Sequence, residues 1–490
     1  MNLSKSKYCR GLQCKKMLWL EKNKPNEKTK LNNESVLEQG NAVHEVAKYL
    51  FGPHINIEFS ENLNQMIEDT YITIESYKDI IITEASFNYN NNFCSVDILG
   101  KTGDKYEIYE VKSSTELKDI YINDASYQYY ILTNLGFNIT KCTIIVINNK
   151  YTRYGNLDLN KLFIKQDITE EVINLQDTVK EKIKEINDYV DDYLEPIDDI
   201  YLKCFKPYPC PFFKYCTKHI LNNNVFDIAN MHNSKKIKLY QDGTYTYKDL
   251  LDSDINDKQR QQIEYELYDK EDYIDKPKIK EFLATLSYPL YFLDFETYQM
   301  PIPLYDGISP YEKIPFQYSL HYIESEGGVL KHTEYLAKTN TDPRRTLAEQ
   351  LVKDIPKDVC VLAYNMSFEK SVINKLAVIY PDLSEHLMNI HSNIKDLMIP
   401  FRNRDYYSKS MHGSYSIKYV LPSLFPNDEN LNYQNLDLVH NGTEAMDKFK
   451  ELSTLDGKDF DYTKERLLKY CELDTFAMVK IYEKLKEISN

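Results

Sequence analysis

Two sets of acidic residues, roughly two hundred positions apart, carry the chemistry available to this chain. The first is Asp97 followed by Glu110-Val111-Lys112; the second is Asp294-Phe295-Glu296, with Tyr470 and Asp474 far downstream. Each set stands among apolar, strand-forming residues. A carboxylate buried there is costly unless a cation neutralises it, so both sets predict metal sites. Carboxylate oxygens are hard ligands that suit Mg²⁺ or Mn²⁺. Such an ion polarises a phosphate and lowers the pKa of a bound water.

The elements expected around them follow from periodicity. Asp97 and Glu110 fall on neighbouring strands, 94–99 and 106–112, after a strand over 81–89, with turns at Asn90-Asn91-Asn92 and Thr102-Gly103-Asp104. Glu110 and Lys112 are two apart and share a strand face. Lys112 is there to orient the water or to stabilise charge developing on phosphorus. A helix over 34–51 carries His44, and a helix over 119–135, closed by Gly136, carries Gln128. A strand over 141–148 and an amphipathic helix over 175–193 complete an α/β core. In the second set, Asp294 and Glu296 share one face of a strand over 290–296. A hairpin over 317–336, a helix from Asp342-Pro343, a strand over 359–364 and a helix over 367–380 carrying Glu369 follow. Tyr470 and Asp474, four apart on a last helix over 463–488, share a face.

Cys204, Cys210 and Cys216 recur at equal spacing among prolines, in loop-like sequence that suits a metal or a cluster better than a core. Cys14 and Cys9 are both candidates for a fourth ligand near the chain's beginning. Four thiolates suit either a [4Fe–4S] cluster or Zn²⁺. Cys94, Cys142, Cys360 and Cys471 stand in apolar stretches and read as core thiols.

With 490 residues the chain exceeds one ordinary core. Composition shifts divide it at 1–220, a charged helical linker or nucleic-acid-contacting segment at 221–280, and 281–490. The absence of a long apolar run excludes a membrane helix. The polar start over 1–10, without an apolar signal core, and an odd count of nine cysteines predict a cytoplasmic protein with reduced thiols. The net charge of −15 is unusual for a nucleic-acid binder, but local patches rather than totals govern such binding. A basic run from Lys5 to Lys30, opposed only by Glu21 and Glu27, is one such patch, with Lys15 and Lys16 as candidate contacts.

The ordered set His44, Asp97, Glu110, Lys112 and Gln128 resembles the PD-(D/E)xK nucleases of the RecB family over 1–220. The resemblance implies a restriction-endonuclease-like mixed sheet with metal ligands at His44, Asp97 and Glu110 and catalytic roles for Lys112 and Gln128. No proline precedes Asp97, and the tyrosine expected after the glutamine is matched ambiguously by Tyr129 and Tyr130. The cysteines resemble the iron–sulfur branch of that family, which includes the exonuclease of CRISPR adaptation. That resemblance implies a [4Fe–4S] cluster on Cys14, Cys204, Cys210 and Cys216, although the spacing here is wider than the branch's usual pattern. Residues 288–490 resemble the DnaQ-like DEDD 3′–5′ exonucleases of the tyrosine subtype. This implies a ribonuclease-H-like α/β domain, metal on Asp294, Glu296, Glu369 and Asp474, and a catalytic Tyr470; Glu369 stands where most members have Asp. Together the halves resemble uncharacterised prokaryotic proteins that fuse the two nucleases. The expectation is a metal-dependent nuclease with DNA as its substrate. The rivals are a 3′–5′ exoribonuclease with an inactive first site and a non-catalytic nucleic-acid-binding scaffold.

Overall fold

A computed structural model describes residues 3–30 and 34–490, with no account of the side chains of residues 34–36. Met1 and Asn2, at the head of the polar start, lie outside the described residues. The chain is mixed α/β and divides into two compact units: Met1–Ile220 with Met300–Glu312, and Leu221–Gln299 with Lys313–Asn490. Among the described residues no helix is long and apolar enough to cross a membrane.

Among the described residues, the first unit is built on seven strands: β1 (Leu3–Ser4), β2 (Ile55–Asn56), β3 (Asp79–Tyr89), β4 (Asn92–Thr102), β5 (Lys105–Lys112), β6 (Asn138–Ile147) and β7 (Phe163–Asp167). The sheet order is β2-β3-β4-β5-β6-β7, with β1 pairing β4. The β3–β4 hairpin closes through Asn90 and Asn91, both at positive φ (49° and 63°), a conformation that asparagine tolerates and that matches the strand twist. The next hairpin closes through Gly103 (φ 60°) and Asp104, with Thr102 paired to Lys105. The β4–β5 register pairs Ile98 with Tyr109, so Asp97 and Glu110 follow as the next pair along the same two strands. Helices α1 (Lys5–Gln13), α2 (Lys15–Asn23), α3 (Glu34–Ala47), α4 (Leu63–Ser76), α5 (Asp119–Asn134) and α6 (Gln176–Val190) pack around the sheet. Helix α5 is the crossover between parallel β5 and β6, and Gly136 (φ 92°) ends it. Three of the expected core thiols, Cys94, Cys142 and Cys471, are fully buried, and Cys360 is nearly so.

The second unit holds β8 (Tyr273–Ile274), β9 (Leu290–Tyr298), β10 (Ile314–Ile323), β11 (Lys331–Leu336), β12 (Cys360–Ala363), β13 (Ile394–Asp396) and β14 (Tyr406–Tyr407). Its main sheet runs β11-β10-β9-β12-β13; β10 is antiparallel to β9 and β11, whereas β12 is parallel to β9 and β13, and β8 pairs with β14 alone. Helices α7 (Arg344–Asp354), α8 (Ser367–Ile379), α9 (Pro381–Asn393), α10 (Gly442–Glu451) and α11 (Gly457–Ser489) complete it. Pro381 both ends α8 and opens α9, since a proline lacks the N–H that a continuing helix needs but fits a first turn. Helix α11 crosses one face of the sheet, and Gln317 of β10 donates to the Leu467 carbonyl at 2.8 Å.

Residues 221–280, read from the sequence as a linker or contacting segment, fold into the second unit. Their short helices bury Ile237, Tyr240, Leu250 and Ile263. Buried Gln262 is the fastening: its amide donates to the Asp227 carbonyl (3.1 Å) and the Tyr247 hydroxyl (2.8 Å) and accepts from the Ala229 N–H (3.0 Å). Gly413, at φ +76°, lies against this amide, and a Cβ there would stand 2.2 Å from Gln262 Oε1 and 2.7 Å from Ala229 Cβ. Gly413→Ala combines a left-handed backbone penalty with overpacking and is expected to cost roughly 2–5 kcal/mol. Chemical denaturation of the variant checks this; an unchanged midpoint would contradict the packing described.

Candidate functional sites

The second acidic set meets on the face of the sheet that α11 crosses. Alternation along β9 presents Asp294 and Glu296 together, and α11 brings Asp474; one oxygen from each lies within 4.8 Å of the others. Glu369, in the first turn of α8, adds its charge to Asp294 and Glu296. Its Oε2 is buried with no hydrogen-bond partner. Tyr470, one turn before Asp474, is buried and hydrogen-bonds that carboxylate, and Tyr433 donates to Asp474 Oδ1 at 2.7 Å. Gly442, at the start of α10, leaves room for Glu296; a Cβ there would lie 3.3 Å from Glu296 Oε2.

No lysine or arginine among the described residues forms an ion pair with these four acids. Lys418 favours the charged forms of Glu296 and Asp474, and Lys313 that of Glu369, without reaching ion-pair distance. Burial, followed by the charges of Asp474, Glu296 and Glu369, raises Asp294 well above the usual carboxylate range. Burial, with the charge of Asp474, does the same to Glu296. Burial pushes Glu369 up to about 8, with Asp396 adding to the rise against its own backbone N–H and Lys313. Burial pushes Asp474 up to about 6 against the Tyr433 hydrogen bond, Lys418 and the Tyr470 hydrogen bond. Burial and the neighbouring carboxylates raise Tyr470, so it keeps its proton and donates. An oxygen-rich, cation-poor pocket with an orphaned carboxylate oxygen fits a hard divalent ion.

The first set is arranged differently. Lys5, at the start of α1, places its Nζ 3.3 Å from Asp97 Oδ1 and 2.9 Å from Glu110 Oε1. Lys112 Nζ lies 2.6 Å from Glu110 Oε1 and also bonds Asp124 of α5. Gln128 donates to Glu110 Oε2 at 2.7 Å, and the Val111 N–H donates to Asp97 Oδ2 at 2.7 Å. His44 Nε2 stands 3.9 Å from Asp97 Oδ2. Burial works to raise Glu110, but Lys112 and Lys5 outweigh it and hold this carboxyl below its ordinary range. Burial and the Glu110 charge push Asp124 up to about 6. Glu84 stands across from Asp97, between the pairs Thr83–Ile98 and Ala85–Val96, at φ 59°. Such a backbone in a strand is costly and marks a constrained position. All five sequence-predicted residues thus gather here, but Lys5 stands between two of the expected metal ligands. Among the described residues, the groups that bring three ligand atoms within 4.8 Å are Asp294–Glu296–Asp474 and His321–His332–Glu472.

Cys14, Cys210 and Cys216 pack against a small apolar cluster of Met17, Trp19, Leu20, Phe212 and Tyr215. Cys14, between α1 and α2, bears electrostatically on Cys204, Cys210 and Cys216, and none of them is in a disulfide. Burial pushes Cys210 up to about 12 and Cys216 up to about 11. Gln13 ties this corner together through the carbonyls of Lys203 and Tyr208, each at 2.7 Å. Cys9 lies elsewhere, beside Asp124, Lys112, Lys5 and Glu110.

Most of the basic run is paired with acids of the same unit. Lys15 bonds Glu185, Lys16 lies 3.3 Å from Glu195, and Lys22 lies 2.8 Å from Asp191. Sequence reasoning missed Lys5, Glu84, Asp124 and Tyr433 as site residues. Lys5 stands in the basic run, Glu84 in the strand expected over 81–89 and Asp124 in the helix expected over 119–135, whereas Tyr433 stands in no expected element.

Residues 291–416 match a domain of unknown function, DUF2779. The match takes in Asp294, Glu296 and Glu369 and stops before Tyr470 and Asp474. No curated protein and no solved structure matches the chain.

The raised acids set a pH dependence. Their folded pKa values lie above the unfolded value of about 4, so the folded state keeps protons that the unfolded chain releases. This contribution to stability is full below about pH 4 and is lost as pH rises through about 6 for Asp474 and about 8 for Glu369. The melting temperature of the metal-free protein is therefore expected to fall between about pH 5 and 8, and Mn²⁺ should restore it more at the upper end. Glu369→Gln should flatten the upper part of the fall. A flat profile in the unsubstituted protein would contradict the assignment.

Proposed function

We propose that the protein is a metal-dependent nuclease hydrolysing phosphodiester bonds, with DNA as its substrate. The observation that supports this best is the cation-poor meeting of Asp294, Glu296, Asp474 and Glu369 beside a protonated tyrosine. On this reading the second unit is a DnaQ-like exonuclease of ribonuclease-H-like fold, and the four acids hold Mg²⁺ or Mn²⁺. Bound there, the ion would supply an activated water and neutralise charge on the phosphate. Asp294 and Glu296 come from one rigid strand and fix the position of the charge. Tyr433 orients Asp474 through one oxygen. Tyr470, which keeps its proton and now hydrogen-bonds Asp474, would turn that O–H to the attacking water or the substrate.

The first unit, on the same reading, is a RecB-like nuclease of restriction-endonuclease-like fold. Glu110 and Asp97 are its acids, Gln128 orients Glu110, and Lys112 is the catalytic lysine. Lys5 supplies the countercharge that Mg²⁺ would supply, so loading this site requires the Lys5 ammonium to move aside. The cysteine quartet is the candidate site for a [4Fe–4S] cluster, with Zn²⁺ as the alternative occupant. Metallation would release the protons that burial now holds on the thiols.

End-labelled single- and double-stranded DNA and RNA, with Mg²⁺ or Mn²⁺, test the activity. Asp294→Ala should abolish 3′-directed digestion, on the order of a hundredfold or more in rate. Tyr470→Phe should reduce it less, because it removes a hydroxyl and no charge. Cleavage that depends on Glu110 should survive both changes. Digestion of RNA alone, indifferent to Glu110→Gln, would select the exoribonuclease reading. Unchanged digestion by Asp294→Ala would sink the exonuclease assignment.

The cluster has its own test. Anaerobically purified protein should be brown, and Cys210→Ser should bleach it and loosen the first unit, whereas Cys9→Ser should leave the colour intact. Stoichiometric zinc without iron would replace the cluster by a structural Zn²⁺ site.

A further inference from the structure

Helix α11 carries a second constellation on another face. Tyr470 and Asp474 share one side, while Glu472 lies about 200° round the helix from Tyr470. Glu472 meets two histidines there. The β10–β11 register pairs His321 directly with His332, so both rings stand on the same face of the sheet, with centroids 4.4 Å apart. One ligand atom from each of His321, His332 and Glu472 lies within 4.8 Å of the other two.

The hydrogen bonds around the rings are those a metal site needs. His321 Nδ1 lies 2.8 Å from Thr475 Oγ1, and His332 Nε2 lies 2.9 Å from Ser319 Oγ. The two hydroxyls are themselves 2.7 Å apart. One nitrogen of each ring is thus oriented by a hydroxyl, which leaves His321 Nε2 and His332 Nδ1 to serve a ligand.

From this geometry we propose that His321, His332 and Glu472 form a site for a transition-metal dication of the Zn²⁺ class, separate from the acid cluster. Two imidazoles and one carboxylate suit this ion, and they leave a fourth position for water. The bound ion clamps the edge strand β11 and its neighbour β10 to α11, the helix that presents Tyr470 and Asp474. The proposal stands on these three elements and does not depend on the nuclease reading.

The test uses the full chain, stripped of metal, dialysed against Zn²⁺ and assayed for metal content and melting temperature. His332→Gln and Glu472→Gln are compared with the unsubstituted protein. The latter should retain one further zinc per chain, over and above any zinc held by cysteine, and should be stabilised by Zn²⁺ beyond either variant. Without metal, both variants should melt with the parent, which separates loss of a ligand from loss of fold. The same comparison with Co²⁺ should show visible bands of nitrogen–oxygen type that vanish in both variants, while any thiolate charge-transfer band persists. Equal zinc content in all three proteins, or cobalt bands indifferent to both substitutions, would overturn the proposal.

Discussion

Like charges gathered in a poorly solvated place repel, and the second unit gathers four carboxylates that no lysine or arginine among the described residues pairs with. Nothing about folding rewards that arrangement by itself. The sheet could bury apolar residues at these positions, as it does at Phe292 and Phe295. The acids are tolerated because protons, or a cation, remove the repulsion. The first unit solves the same problem with its own side chains. Lys5 and Lys112 stand against Glu110, Asp97 and Asp124, so that site is balanced before any ion arrives. The contrast separates the two sites: the second leaves its carboxylates without a paired side-chain cation among the described residues, whereas the first neutralises its own with lysines.

The architecture of the second unit serves this cluster by simple periodicities. A two-residue repeat puts Asp294 and Glu296 on one face, and antiparallel pairing sets Ser319 beside Asp294 and Gln317 beside Glu296. Gln317 then fastens α11 through the Leu467 carbonyl. With the helix held there, its 3.6-residue repeat sends Tyr470 and Asp474 toward β9, and Glu472 and Thr475 toward β10 and β11. One helix in one register therefore addresses two groups of possible ligands.

Most of what the sequence made legible was local. Asp294-Phe295-Glu296 and Glu110-Val111-Lys112 declared their strands and shared faces, and Asn90-Asn91 and Gly103 declared the turns. The mixed α/β class followed from those elements. Two of the residues missed, Lys5 and Tyr433, have partners remote in the chain. Lys5 looked like one charge in a basic run, but the fold carries it across more than ninety positions to Asp97. The acids that pair with Lys15 and Lys16, Glu185 and Glu195, likewise lie far along the chain and leave no local signal. Helix α4 was not foreseen, since Thr70, Ile72, Thr73 and Ile74 are β-branched; packing of Met66 and Ile74 into the core overrides that propensity. His321 and His332 carried no signal at all until the hairpin register set them side by side.

Whether the carboxylates of the second unit hold a divalent ion is tested most directly by crystallography. Crystals of the full chain grown near pH 8 and soaked in Mn²⁺ would give an anomalous difference map. A strong peak is expected among Asp294, Glu296 and Asp474, within bonding distance of their oxygens. A map with no peak there, and with these carboxyls hydrogen-bonded directly to one another through shared protons, would contradict it.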